Sequence, residues 1–78
     1  MVTQSFEQVY QAAEAFQDLA EGLGNQAQRK LRALVEMILA NEAEARGPWR
    51  GWDWAAEIYH RRTELLAEAY DVARGWAH

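Results

Sequence analysis

The chain has no cysteine, one proline (Pro48), one serine (Ser5) and two histidines in 78 residues. Without cysteine there are no disulfides and no thiolate zinc sites. Nucleophilic catalysis has little to draw on, since Ser5 is expected to cap a helix and His78 is the last residue. No glycine-rich phosphate loop follows a strand pattern. No apolar run approaches the roughly 20 residues that a membrane span needs. The Met1–Gln4 start carries neither a basic nor an apolar leader segment, so a cytoplasmic location is expected. These gaps leave a non-enzymatic chain with no expected cofactor or metal.

The charge is acidic and uneven. A net charge of −4 argues against nucleic acid as the main partner, because that affinity comes largely from cations that neutralise phosphates. Residues 1–24 hold Glu7, Glu14, Asp18 and Glu21 and no base. Residues 25–46 set Arg29, Lys30, Arg32 and Arg46 against Glu36, Glu42 and Glu44, and the remainder is nearly balanced.

The apolar periodicity predicts a single all-α domain over residues 1–78, built from three helices. Helix 1, about 5–22, starts at a Ser5–Gln8 capping box. Its stripe is Phe6, Val9, Ala13, Phe16, Ala20 and Leu23, with Gly22 and Gly24 as left-handed stops. Helix 2, about 25–46, starts at an Asn25–Gln28 capping box and carries Ala27, Leu31, Leu34, Ile38, Asn41 and Ala45 on one stripe. Val35, Met37 and Leu39 point away from that stripe, so helix 2 must be covered on more than one side. Helix 3, about 48–74, follows Gly47-Pro48, with proline at its first position and Gly75 as its C-terminal cap. Its polar stripe is Asp53, Glu57, Arg61, Glu64, Glu68 and Asp71, and Glu57–Arg61 is ordered as an i,i+4 pair.

At 1.5 Å per residue helix 3 would run on the order of 40 Å, against roughly 27 Å for helix 1. A short chain buries only roughly 60% of its unfolded surface. Both points suggest association. The expected architecture is an antiparallel three-helix bundle or hairpin with a long third helix, forming a homodimer through helices 2 and 3.

Several constellations admit chemistry or binding. Glu7, Gln11, Glu14, Asp18 and Glu21 line one face of helix 1. They either offset Arg29, Lys30 and Arg32 at the neighbouring start of helix 2 or form an acidic face, centred on Glu7, Glu14 and Asp18, for a basic partner. Asn25, Gln26, Gln28 and Arg29 could open the recognition helix of a dimeric helix-turn-helix DNA-binding regulator, but the helix before them carries only acids. Glu57 and His60 form a Glu-x-x-His pattern of the kind that points two ligands at a di-metal centre, with Glu36 or Glu42 as bridging carboxylates. Glu57, however, belongs to the polar stripe. Glu68 and Asp71 make an isolated Glu-x-x-Asp pair similar to that of metal-dependent nucleotide pyrophosphatases, without the companion Glu-x-x-Glu.

"RGPWRGWDW", Arg46 to Trp54, holds three of the four tryptophans in six positions. Trp52 falls on the heptad series Trp52, Tyr59, Leu66, Ala73 and is expected in the core. Trp76, after Gly75, is expected to cap helix 3 against Tyr70. Trp49 and Trp54 flank the stripe, where Arg46 and Arg50 could stack on them, and such residues are enriched at interface hot spots. Trp49, Trp54, Arg46 and Arg50, with Glu7, Glu14 and Asp18, are therefore the candidate partner-binding residues. In size, acidity and helical character the chain resembles small phage- or bacterium-encoded inhibitors, anti-CRISPR and anti-host proteins among them. That resemblance implies a non-catalytic regulator of another protein, and it rests on composition rather than on any stretch of residues.

Overall fold

The computed structural model describes residues 6–75, with Phe6 through its backbone only. The Ser5 cap and Trp76 lie outside the described residues. Within them the chain forms three helices and no strand: α1 (Phe6–Ala20), α2 (Asn25–Ala45) and α3 (Trp52–Gly75). The Cα extents are 41 × 23 × 19 Å, an elongated shape whose long axis matches the roughly 36 Å that 24 helical residues span.

The apolar stripes read from the sequence meet in one core. Val9, Ala13, Phe16 and Ala20 of α1 pack with Leu31, Leu34, Val35 and Ile38 of α2 and with Leu66, Ala69, Val72 and Ala73 of α3. Four of these twelve are alanines, which let helix axes approach closely. α2 is the central helix and packs on both others, while α1 and α3 meet least. Val35 is buried and Leu39 half-buried, so the second apolar side of α2 is largely covered within one chain. Only Met37 of that side stays open to solvent. The breadth of α2 thus does not require a second copy.

The helix ends depart from the expected punctuation. α1 closes through two short-range bonds, Gly22 N–H to the Leu19 carbonyl (3.1 Å) and Leu23 N–H to that of Ala20 (3.0 Å). These tighten the last turn and satisfy carbonyls without a left-handed residue; among the described residues only Gly51 has positive φ. Gly24, extended at φ −66 and ψ 163, is the N-cap of α2, with no side-chain cap bond. Its carbonyl accepts from the Gln28 N–H at 2.8 Å. Asn25 is therefore already helical, and the Asn25–Gln28 capping box does not form.

α3 begins four residues later than Pro48. The reason is Gly51, whose φ of +106 cannot belong to a right-handed helix. Its carbonyl accepts the first helical bond, from Ala55 N–H at 3.1 Å. Residues 46–51 become a non-helical link, opened by Gly47 N–H bonding the Glu44 carbonyl at 3.0 Å. A Cβ at position 47 would sit 3.2 Å from that same carbonyl, tighter than ordinary contact.

Candidate functional site

The late start of α3 reassigns the tryptophans. Trp49 lies in the link, and its ring meets Trp52 at 4.9 Å and Trp54 at 5.7 Å, both nearly perpendicular. Such edge-to-face geometry is favourable between aromatic rings. Trp52, expected in the core, is 82% exposed, and its heptad neighbour Tyr59 is 50% exposed. The lower half of that series, Leu66 and Ala73, is buried as expected.

The correction has a physical cause. α3 buries Ala55, Ile58, Arg62 and Ala69, a stripe offset from Trp52 and Tyr59, and bonds α2 through Ile58 to Asn41 and Arg62 to Glu42. α1 reaches the face of Trp52 and Tyr59 further along, where Phe16 packs edge-on against Tyr70 at 4.9 Å. Trp54 moves the other way. It is half-buried, and its Nε1–H is shut off from solvent with no acceptor. The solvent-facing pair is thus Trp49, 60% exposed, and Trp52, rather than Trp49 and Trp54.

Of the flanking arginines, Arg46 donates to the Tyr10 hydroxyl at 3.2 Å, tying the link to α1. Arg50 is exposed. The acidic residues of α1, Glu7, Glu14, Asp18 and Glu21, are all exposed, as are Arg29, Lys30 and Arg32. Among the described residues no ion pair joins the two sets. The acids of α1 form an open negative face instead of a closed contact with α2.

The Glu-x-x-His pattern does not converge. Glu57 pairs with Arg61 at 3.7 Å, as its i,i+4 spacing predicts, and His60 pairs with Glu64 at 3.1 Å. Glu57, His60 and Glu64 are exposed, and Arg61 is half-buried towards α2. Glu42, read as a possible bridging carboxylate, is fully buried and held by Arg62. Nε and Nη2 of Arg62 donate to its two oxygens at 2.6 and 2.8 Å. Among the described residues no three acidic or histidine side chains gather as metal ligands would. Gln26 and Arg29 are exposed and Gln28 is half-buried at the start of α2, but the helix before them presents acids to any phosphate backbone.

The Glu42–Arg62 pair went unread in the sequence, although a signal existed. Arg62 stands in the series Ala55, Ile58, Arg62, Leu66, Ala69, and Glu42 lies four residues after Ile38. A charge inside an apolar stripe is tolerated only when paired and hydrogen-bonded. Arg62 also stacks 5.1 Å from the centre of the Tyr59 ring. Next to this pair, Asn41 donates to the Ile58 carbonyl at 3.1 Å while its Oδ1 accepts nothing. A shallow groove of about 360 Å³ lies between α2 and α3, with Met37, Asn41 and Leu65 among its walls and Glu44, Arg61 and Glu64 at its rim. Arg61 crosses it to Glu44 at 3.1 Å.

No helix among the described residues is long and apolar enough to cross a membrane. No protein-family model, curated protein or solved structure matches this chain.

Proposed function

We propose that this chain is a non-catalytic protein-binding module that regulates or inhibits another protein, in the manner of small phage- or bacterium-encoded inhibitors. Its contact surface is the aromatic link between α2 and α3, extended by the acidic face of α1. The observation that carries this reading is the exposure of two tryptophans packed edge to face, Trp49 and Trp52, on a domain whose other large apolar side chains mostly enter the core. Exposed aromatic clusters mark interaction sites, and tryptophan is the residue most enriched among interface hot spots.

Arg50 at the link and the carboxylates Glu7, Glu14 and Asp18 on α1 supply charge around that apolar centre, which would orient a partner more than bind it. The test is capture from a lysate of the native cell. The wild-type chain should retain a discrete partner, and Trp49→Ala/Trp52→Ala should lose it with its helical circular dichroism intact. Equal recovery by both chains would overturn the assignment.

A further inference from the structure

On the reading that the aromatic face is an interface, we propose that its α3 portion is occupied by a second copy of this chain. The arrangement is a two-fold antiparallel dimer in which α3 crosses its mate at Ala56. Trp52, Ala56, Tyr59 and Thr63 follow one another at four, three and four residues, so they lie along one face of α3. All four are exposed and none is charged. The hydroxyl of Thr63 is turned back onto the Tyr59 carbonyl at 3.0 Å, so Thr63 presents its methyl group to the face.

The pattern is self-complementary, as a two-fold interface requires. A small residue at the crossing lets two helices approach within about 8 Å. With Ala56 against the partner's Ala56, Trp52 of each chain reaches the level of Tyr59 on the other, which gives two aromatic pairs. On the open flank Asp53 then lies near the partner's His60, so the seam sets no like charges opposite each other. Aromatic side chains bury roughly 150–250 Å² each. Covering the exposed parts of Trp49, Trp52 and Tyr59 on both copies therefore removes roughly 600–950 Å². That approaches the ~1,000 Å² a specific interface needs before any neighbouring residue counts. The acidic faces of α1 stay outside the seam and are left for another protein.

The absence of native cysteine makes the crossing directly testable. Ala56→Cys should form an intermolecular disulfide within minutes under mild oxidant, because Cα atoms at a close crossing fall within the ~4.4–6.8 Å a disulfide spans. Ala67→Cys, exposed on the same face of α3 but about 16 Å along the helix from the crossing, should remain monomeric on denaturing gels. To fix direction, Asp53→Cys mixed with His60→Cys should yield the mixed disulfide in preference to either homodimer. In sedimentation velocity the wild type should run as a dimer at micromolar concentration. Trp52→Ser/Tyr59→Ser, with unchanged circular dichroism, should dissociate at least ~100-fold more readily, since each change counts twice in a two-fold seam. A monomer at every concentration, or a dimer that the double substitution leaves intact, would overturn the proposal. Capture of a different protein is read separately, with Glu7→Lys/Glu14→Lys, which alters the acidic face of α1 and leaves the seam intact.

Discussion

At the scale of single residues the structure separates side chains that hold the fold from those that face outward. Trp52 and Trp54 are two positions apart and have opposite consequences. Trp52→Ala should leave the melting temperature of the isolated monomer within a few degrees. Trp54→Ala removes a half-buried ring and should cost about 2 kcal/mol, or roughly 8–16 °C in a domain of this size. Comparable losses at both positions, in thermal melts of dilute protein, would contradict the assignment.

Gly51 and the Glu42–Arg62 pair carry two further expectations. Gly51→Ala forces a Cβ onto a φ of +106 and should destabilise by about 1–3 kcal/mol, although nothing nearby would clash. A steric model would instead put the larger cost at Gly47, where Glu44 crowds the space. For the buried pair, Glu42→Gln leaves the Arg62 charge without its counter-ion and should cost about 3–5 kcal/mol in urea denaturation. Glu42→Met/Arg62→Met, which removes both charges, should recover much of that loss. If the double variant is no better than the single one, the coupling described here is wrong.

At the scale of elements, what was legible in the sequence was the apolar periodicity, and it was legible because burial repeats it. Val9, Ala13, Phe16 and Ala20 on α1 and Leu31, Leu34 and Ile38 on α2 all reach the core. Helix ends were harder to read, because several backbone solutions satisfy the same terminal groups. Gly22 and Gly24 looked like left-handed stops, yet short-range bonds close α1 and an extended Gly24 caps α2. Pro48 suits a first helical turn, but the positive φ of Gly51 decided where α3 starts, and no spacing rule contains that angle.

Of the candidate site, the cluster between Arg46 and Trp54 was visible as composition, and which rings face out was not. The heptad series that includes Trp52 is continuous in sequence but is covered only where another helix lies against it. Tyr70 meets Phe16 of α1, whereas Trp52 is left 82% exposed. Periodicity reports which side chains share a face, whereas burial depends on the length and placement of the neighbouring element. At this scale Ile38→Ala, in the most enclosed part of α2, should cost about 2–5 kcal/mol. Met37→Ala, one residue earlier and open to solvent, should cost less than about 1 kcal/mol.

The whole molecule is an elongated acidic bundle with two distinct outer surfaces. One is the aromatic face at the α2–α3 link, and the other is the acidic side of α1. Trp49 and Trp52 on the first and Glu7, Glu14 and Asp18 on the second are exposed, so both surfaces are open to partners. The acidic surface should act through long-range attraction. Glu7→Lys/Glu14→Lys should slow capture of a basic partner, and the difference from wild type should shrink as salt rises to about 0.5 M, where screening extends over only a few ångströms. Those two substitutions should lower the melting temperature by only a few degrees, because Glu14 is exposed and Glu7, in the first turn of α1, contributes about 0.3–1 kcal/mol through the helix dipole.

The central claim is that Trp49 and Trp52 belong to a contact surface while Trp54 belongs to the fold. Oxidative footprinting of the three rings in dilute, monomeric protein, read by mass spectrometry with and without the captured partner, tests it directly. Modification of Trp49 and Trp52 should fall several-fold on binding, and Trp54 should stay slow in both states. Unchanged labelling of Trp49 and Trp52 with the partner bound would contradict the account.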